Sequence, residues 1–443
     1  MKKAIRISLL ALALVLMLSA LAACSNHTHT WSEEWSADPT HHWHSATCEH
    51  DAGARLPVNG LAEHHFEEHR SEPTCTVSGK ITRTCSVCGY KKEATLAATG
   101  HTYVEGKTAL TVGENQSVSR VRYCDVCDAP TSSVIPGSVA VSTAEEAQAA
   151  LDAVGENGRY IYLLPGNYGT LYLRATKDNS TRHPLTSWAG GSGYILHREL
   201  TGVTIVAAEG ATVDAIVAVG QTHNANAANS HPLYPTEHLI SAISLESIEL
   251  VGITFSGNAA VAVDLCGNVA VDGLLLDGCT MKDAQKDSRL LYRSGKNSEL
   301  KADDELHVMS AGLKNITVTN CTVDGAYQVM ELRGTEGLTV KNNSFKNIAK
   351  HVLLLAADGT PYSASITVTD NTADTIAERF LRMADVAANA VITVTGNTVT
   401  GYTPADPADI DVIKITAAHA DAAITTSGNT LPAGSTVTVE RAE

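Results

Sequence analysis

The sequence has few aromatic residues, no excess of positive charge and, beyond its first 24 residues, no long apolar run. Aromatic residues make up 5% of 443 residues, and 48 acidic residues outnumber 32 basic ones, which gives a formal net charge of −16. Such a chain lacks the basic surface that binds nucleic acids and anionic membrane surfaces. No segment after Cys24 has the length of apolar sequence that crosses a bilayer. We therefore expect neither a nucleic-acid partner nor a membrane-spanning segment after that residue.

The single long apolar run is N-terminal and follows a cluster of cations. Residues 2–6 carry three cations and residues 7–23 are almost all apolar, which is the pattern of a secretory signal peptide. The run ends in Leu-Ala-Ala-Cys at residues 21–24, which resembles the lipobox of bacterial lipoproteins. That resemblance implies cleavage before Cys24 and lipid on its sulfur; the alternative is an ordinary cleaved signal. Because several acyl chains anchor a protein stably, we predict an extracytoplasmic protein that is lipid-anchored to the bacterial cell membrane.

Histidine and cysteine are concentrated in the first third of the chain. Ten of the 18 histidines and seven of the ten cysteines lie before residue 130. This change in composition predicts a signal peptide at 1–23, a His/Trp-rich module at 24–63, CxxC-containing modules at 64–137 and a separate domain at 138–443. The segments Pro-Thr-Cys (73–75), Thr-Cys-Ser-Val-Cys-Gly (84–89) and Thr-Gly-His (99–101) resemble the small ribbon-like repeats of surface proteins of Gram-positive anaerobes.

Two CxxC pairs in these modules have the spacing of metal ligands, because both thiolates of a pair can point at one ion. For the second module we predict the ligand set Cys75, Cys85, Cys88 and His101. The third module keeps Cys124 and Cys127 but has no counterpart of Cys75. Structural zinc is the leading interpretation, and disulfides, which export permits, and free thiols are the alternatives. Modules this small bury little core, so we expect some cross-link.

The domain at 138–443 begins with a helix signal and continues with strand signals. Ser142 and Glu145 form a predicted capping box, and apolar residues follow at helical spacing: Ala147, Ala150, Leu151 and Val154. The segment 159–174, RYIYLLPGNYGTLYLR, then predicts a strand, a Pro-Gly turn and another strand.

One eight-residue motif recurs in the C-terminal half. It reads ITVTNCTV (316–323), LTVKNNSF (338–345), ITVTDNTA (366–373), ITVTGNTV (392–399) and ITTSGNTL (424–431). Its sixth position is Cys321 and then Asn343, Asn371, Asn397 and Asn429, and earlier segments place Ile253 and Cys279 there. A drifting period of this length with strand patterning indicates a solenoid, whose coils are too small to bury their own apolar faces. Stacked Asn amides are expected to form a structural ladder in the C-terminal half only.

The capping helix, the Asn-turn repeat and the start formed by Pro165, Gly166 and Tyr168 resemble the pectin-lyase-like superfamily. The resemblance covers residues 138–443. It implies an all-β fold: a right-handed parallel β-helix solenoid with an N-terminal capping helix, preceded by small Cys/His-rich modules. Lyases, hydrolases, epimerases and adhesins share this architecture, so the fold alone does not define the function.

A second recurring strand follows the Asn turn. Its copies are VDLCG (263–267), VMSAG (308–312), MELRG (330–334), LRMAD (381–385) and IKITA (413–417). Alternation predicts outward side chains at Asp264, Met309, Glu331, Arg382 and Lys414, with Arg333 beside them. The charged members of this set, Asp264, Glu331, Arg333, Arg382 and Lys414, are the candidate catalytic residues of a lyase. Calcium would bind the two carboxylates, and a base or clamp would be found among the cations. Hydrolysis would need the two carboxylates, which lie two coil steps or about 9.6 Å apart, marginally wide for inverting chemistry. For these charges themselves, the favoured interpretation is a ladder of opposite surface charges on neighbouring strands that serves solubility.

Two long predicted loops, 220–238 and 282–304, border this strand and are candidate ligand-binding loops. Their candidate residues are His231, Tyr234, His238, Arg289, Tyr292 and Arg293. The sequence lacks the Gly-His-Gly of polygalacturonases, the Trp-Ile-Asp-His of pectate lyases and the Arg-His-Gly of alginate-lyase type. The leading hypothesis is therefore a surface protein whose β-helix binds carbohydrate or another surface polymer. The alternatives are a polysaccharide lyase or, less favoured, a glycoside hydrolase acting on an acidic polysaccharide, and a structural spacer or adhesin.

Overall fold

The computed structural model describes residues 28–48, 58–185, 193–220, 222–223, 233–265, 267–284, 287–293, 313–357 and 364–442. The chain divides into two compact units, one made of Met1–Thr108 and Arg122–Thr131 and the other of Ala109–Val121 and Ser132–Glu443. Within the described ranges the secondary structure is β-strand apart from one α-helix and a short 3-10 turn at Glu114–Gln116.

The N-terminal part forms three small sheets of three strands each, in chain order. The first module contains β1 (Trp31–Ala37), β2 (His41–Ala46) and β3 (Asn59–Glu63); the second contains β4 (Phe66–Ser71), β5 (Gly79–Cys85) and β6 (Lys91–Leu96); the third contains β7 (Tyr103–Val112), β8 (Val118–Cys124) and β9 (Pro130–Val134). In β3 all five side chains are exposed, and in β4 only Phe66 is partly buried. The modules therefore have very little apolar core.

The capping helix α1 spans Ala144–Asp152, and its capping box lies one residue later than the predicted pair Ser142 and Glu145. Thr143 is the N-cap, because its backbone is extended and its hydroxyl accepts a hydrogen bond from Glu146 N at 3.1 Å. The Glu146 carboxylate in turn accepts a hydrogen bond from the backbone N–H of Ser142 at 2.7 Å. The predicted apolar face is buried at Ala147, Ala150 and Leu151.

Three long sheets make up the rest of the second unit. The first sheet contains β10 (Ser138–Val141), β11 (Arg159–Leu163), β16 (Val203–Ala207), β20 (Leu239–Val251), β23 (Val269–Asp277), β26 (Leu313–Thr319), β29 (Gly337–Lys341), β32 (Ser365–Thr369), β35 (Val391–Thr395) and β38 (Ala423–Thr425), with β14 (Thr181–Leu185), β15 (Gly193–Thr201) and β19 (Thr222–His223) joined to it through β20. The second contains β12 (Gly166–Asn167), β17 (Ala211–Val213), β21 (Thr254–Phe255), β24 (Thr280–Lys282), β27 (Thr322–Ala326), β30 (Ser344–Ile348), β33 (Thr372–Ile376) and β36 (Thr398–Val399). The third contains β13 (Thr170–Leu173), β18 (Ala215–Ala218), β22 (Val261–Asp264), β25 (Arg289–Arg293), β28 (Gln328–Arg333), β31 (His351–Ala356), β34 (Arg379–Val386), β37 (Asp411–Ala418) and β39 (Thr436–Arg441).

Each coil contributes one strand to each sheet, and equivalent strands of successive coils pair in parallel. In the first sheet the first residue of the repeated motif aligns from coil to coil: Ile316, Leu338, Ile366, Ile392 and Ile424. The first four of these side chains are buried, so aliphatic residues stack along the interior in the way that alternation predicts. The fold is the parallel β-helix solenoid with an N-terminal capping helix.

Asparagine side chains form a ladder at the turn between the first and second sheets. The Nδ2 groups of Asn343, Asn371 and Asn397 each donate to Oδ1 of the next asparagine, at 2.9 Å in every case. The last acceptor is Asn429. The ladder begins after Cys321, whose backbone N–H donates to Oδ1 of Asn343 at 2.8 Å. These asparagines therefore satisfy one another's buried amides and stabilise the coil turn.

Candidate functional site

The outward residues of the third sheet lie in one row across six neighbouring strands, from β22 to β37. The row, called the outer row below, consists of Asp264, Tyr292, Glu331, Leu354, Arg382 and Lys414. Parallel neighbours are about 4.8 Å apart, so the row extends over about 24 Å. Arg382 is exposed and the other five side chains are partly exposed. The row is an acidic and aromatic end followed by an apolar residue and a cationic end.

The middle of the outer row differs from the sequence expectation. The predicted coil with Met309 lies outside the described residues. The structure instead places Tyr292 between Asp264 and Glu331, since β25 pairs with β22 on one side and β28 on the other. The predicted loop 282–304 is therefore incorrect at 289–293, where Leu290 and Leu291 are buried as part of a regular strand.

Most charges on and beside the outer row are neutralised by neighbours. Arg289 Nε lies 2.8 Å from Glu331 Oε2, and both side chains are largely buried. Lys414 Nζ lies 3.2 Å from a carboxylate oxygen of Asp411 and 3.3 Å from one of Glu440. Hydrogen bonds to Asp411 and Glu440 raise the pKa of Lys414. A lysine held in its charged form is a poor base for abstracting a proton.

The candidate loop residues have structural partners. Lys177 donates its backbone N–H to the Tyr234 hydroxyl at 3.0 Å and places Nζ 4.4 Å from the Tyr234 ring centroid. His238 accepts a hydrogen bond on its backbone carbonyl from Tyr194 N at 3.4 Å. Arg293 is 1% exposed and donates from Nη1 to the Val269 carbonyl at 2.9 Å, so it is a core residue of β25 and not a loop residue. His231 lies outside the described residues.

Arg333 ends β28, two residues beyond the outer row, and is partly buried. Beta-strand alternation puts it on the same side of the strand as Glu331. Cys24, the predicted lipidation site, lies outside the described residues. Within the ranges that the structure describes, no helix has the length and apolar character needed to cross a membrane.

Histidine and cysteine side chains converge in two groups in the N-terminal modules. Group one consists of His42, His64, Cys85 and Cys88, and group two consists of Cys75, His101, Cys124 and Cys127. In each group the four candidate ligand atoms lie within 4.8 Å of one another, so each group could hold a metal ion. The cysteines in both groups are free thiols.

The structure divides the predicted ligands differently from the sequence expectation. Cys75 and His101 were expected beside Cys85 and Cys88, but they lie in group two with the CxxC pair of the third module. The reason is local geometry: Cys75 is in the turn after β4, and its carbonyl accepts a hydrogen bond from Gly100 N at 3.0 Å. That bond holds Cys75 next to the start of the third module.

The local backbone prepares the first cysteine of each CxxC pair for ionisation. Hydrogen bonds from the backbone N–H groups of Cys127 and Val126 lower the pKa of the Cys124 thiol to about 6. Burial acts to raise the pKa of the Cys85 thiol, but hydrogen bonds from the backbone N–H groups of Cys88 and Val87 and from the His64 side chain lower it overall to about 5. A thiolate is the form of cysteine that binds metal.

Comparison with known proteins identifies the fold of the second unit. The family model described as a right-handed beta helix region matches residues 246–431. No curated protein matches the chain. No solved structure matches it. The family match and the three parallel sheets confirm the predicted fold class, a right-handed parallel β-helix preceded by small β modules.

Proposed function

We propose that the protein is a lipid-anchored cell-surface protein whose β-helix binds carbohydrate or another surface polymer along the outer row. The observation that carries the proposal is the alignment of Asp264, Tyr292, Glu331, Leu354, Arg382 and Lys414 on one face. Compact ligands are usually bound in concave pockets. A straight row over about 24 Å suits an extended chain that repeats its contacts from strand to strand.

The composition of the row supports carbohydrate or polymer binding. Tyr292 offers an aromatic ring, which combines an apolar face with a polar hydroxyl. Arg382 is exposed and can donate a forked pair of hydrogen bonds to a carboxylate or a sulfate on a polymer. The acidic end of the row would contact hydroxyl groups.

Binding explains the row better than elimination or hydrolysis does. Calcium ligands lie about 2.3–2.6 Å from the ion, so two carboxylates that share one ion must approach each other within about 5 Å. Asp264 and Glu331 belong to strands two steps apart, and Glu331 is already paired with Arg289. The chemistry of a polysaccharide lyase or glycoside hydrolase remains the alternative that a product assay tests.

Arg382→Ala is expected to weaken binding to an acidic polysaccharide at least tenfold, because it removes an exposed charged donor from the outer row. Binding would be measured by screening the protein on a glycan array and then titrating the best polysaccharide. Lys341→Ala is the matched control, since Lys341 is an exposed cation at the end of a strand of the first sheet. Equal affinity of both variants and the parent would place the binding face elsewhere. Release of unsaturated uronate or new reducing ends would favour the enzymatic alternative.

Cys24→Ser is expected to move the protein from the detergent phase to the aqueous phase in a Triton X-114 partition. Serine lacks the sulfur that the lipid modification requires, and loss of the acyl chains removes the anchor. Cys48→Ser is the matched control and should stay in the detergent phase. Aqueous partition of the parent protein would contradict the anchor.

We propose zinc as the ion that suits groups one and two. In a tetrahedral site with Zn–S of about 2.3 Å and Zn–N of about 2.0–2.1 Å, two thiolates are about 3.8 Å apart and a thiolate and an imidazole about 3.6 Å. Cys75 Sγ and Cys124 Sγ are 3.8 Å apart, and Cys127 Sγ lies 3.3 Å from His101 Nδ1. A disulfide between Cys75 and Cys124 is disfavoured, because their sulfurs lie 3.8 Å apart and bonded sulfurs lie about 2.05 Å apart.

A further inference from the structure

Both His/Cys groups take their ligands from two consecutive modules. In group one His42 belongs to β2 of the first module, and the other three ligands belong to the second. In group two Cys75 belongs to the second module, and the other three belong to the third. We propose that each group binds one divalent metal ion that cross-links a module to the module before it. This inference builds on zinc binding and is independent of the proposed carbohydrate binding.

The same three-ligand arrangement is built twice at equivalent positions. A histidine precedes the first strand of the module (His64 and His101), a cysteine ends the second strand (Cys85 and Cys124), and another follows in the turn (Cys88 and Cys127). In each module the histidine Nδ1 faces the later cysteine, at 3.4 Å for Cys88 and 3.3 Å for Cys127. Each module therefore supplies three ligands and lacks the fourth.

The preceding module supplies the fourth ligand with a different residue type in each group. Cys85 Sγ lies 3.8 Å from His42 Nδ1 in group one. In group two Cys124 Sγ lies 3.8 Å from Cys75 Sγ. Histidine and cysteine are both common zinc ligands. His42 lies next to Cys85 and Cys75 lies next to Cys124, although the two come from different parts of their modules. The shared feature is thus the ligand position and not the sequence around it.

Backbone and side-chain hydrogen bonds hold the preceding module in position for this role. His64 N donates to the Thr40 carbonyl at 3.3 Å, and Gly100 N donates to the Cys75 carbonyl at 3.0 Å. His64 Nε2 also lies 2.8 Å from the Asp38 carbonyl of the first module. When Nε2 carries the proton, Nδ1 has the lone pair that can bind a metal. A hydrogen bond from the other ring nitrogen orients metal-binding histidines in the same way.

The first module carries a similar His–Cys contact but, among the described residues, no group of four ligands of its own. Trp31 pairs with Ala46 in β1 and β2, whereas Phe66 pairs with Cys85 in β4 and β5. Ala46 therefore occupies the position of Cys85, and in the first module Cys48 Sγ instead lies 3.5 Å from His29 Nδ1. Among the described residues, the two four-ligand groups are each shared by two consecutive modules.

The cross-link would replace the apolar core that the modules lack. Cys75, Cys85 and Cys124 are at most 6% exposed, while most neighbouring strand residues are exposed. Small domains of this size commonly need a metal or disulfides for stability. Without the ions, consecutive modules would be joined mainly by a few backbone hydrogen bonds.

The test is to measure zinc in the full-length protein, purified in detergent under reducing conditions, by elemental analysis and by competition with a chromogenic chelator. We expect about two equivalents of zinc. His42→Ala and Cys75→Ser should each make one equivalent available at a chelator concentration at least tenfold lower, since even outer-shell changes cost about 10–100-fold in affinity. His41→Ala is the matched control for His42→Ala, and it should retain the parent behaviour.

Variants that exchange the residue type of the fourth ligand distinguish loss of a metal ligand from loss of the module's fold. His42→Cys and Cys75→His should each retain two equivalents, because the two groups already use these residues at the same place. With cobalt in place of zinc, the thiolate charge-transfer absorption should increase in His42→Cys and decrease in Cys75→His. If His42→Ala and Cys75→Ser hold both equivalents as tightly as the parent, the ions lie within single modules and the cross-link is wrong while zinc binding stands. Less than half an equivalent in the parent would overturn both.

Discussion

Asn371→Ala is expected to destabilise the β-helix by about 3 kcal/mol, which is large for one uncharged side chain. The Asn371 amide is fully buried and donates to Asn397 Oδ1, the Val340 carbonyl and the Thr369 carbonyl at 2.9–3.0 Å. Its Oδ1 accepts from the backbone and side chain of Asn343. Alanine would leave these hydrogen-bonding partners without Asn371 in the coils on both sides. A buried donor or acceptor that has lost its partner costs its full desolvation penalty.

Asn429→Ala is the matched control for the ladder, because Asn429 is the last rung and is partly exposed. Water can replace part of its contacts, so we expect about 1 kcal/mol. Urea unfolding followed by circular dichroism, with protease resistance of the C-terminal coils as a second probe, measures both variants. Equal losses for the two variants would show that burial of the inner rungs adds nothing.

The repeat made the fold and the ladder predictable from the sequence. Each coil has too little apolar surface to fold alone, so the same strand and turn must recur at positions that stack. Recurrence of Asn343, Asn371, Asn397 and Asn429 at one position of the motif therefore reported the register directly. In the structure these four residues form one hydrogen-bonded line.

The missed coil shows where this reasoning fails. The segment Arg-Leu-Leu-Tyr-Arg at 289–293 has charged ends and lies inside a polar stretch, 282–304, so the whole stretch was predicted to be a loop. In the structure Leu291 aligns with Val263 on one side and Met330 on the other. Alternation around Leu291 was the available signal, and it would have placed Tyr292 in the outer row.

The metal groups were half predictable. The spacing within CxxC identifies two ligands in each module, but spacing within one module says nothing about a ligand from its neighbour. One further signal was present in the sequence: His64 stands two residues before Phe66, and His101 stands two residues before Tyr103. That shared offset marks His64 and His101 as equivalent, which leaves Cys75 for the group of the next module. The ion pairs of the outer row were not predictable, because Arg289 and Glu440 come from different coils.

Acidification from pH 7 to pH 4.5 is expected to cost the β-helix about 2.5 kcal/mol through His351 alone. His351 begins β31 and is fully buried. Burial, and then the positive charges of Arg382, Lys350 and Arg379, lower the pKa of His351 to about 3. The Glu378 carboxylate, 3.1 Å from Nε2, is partly exposed, so we expect it to offset these effects only weakly.

Stability falls on acidification because the unfolded chain binds the proton at a higher pH than the folded chain does. The unfolded chain protonates this histidine below a pKa of about 6.5, whereas the folded chain does so only near pH 3, so stability is lost as pH falls through that interval. His351→Gln removes the titrating group and should reduce the loss between pH 7 and pH 4.5 by about 2.5 kcal/mol in urea unfolding. His419→Gln, at an exposed histidine, should reproduce the parent's pH dependence. Identical pH dependence of His351→Gln and the parent would mean that His351 takes up its proton inside the folded β-helix, with the Glu378 carboxylate as its partner.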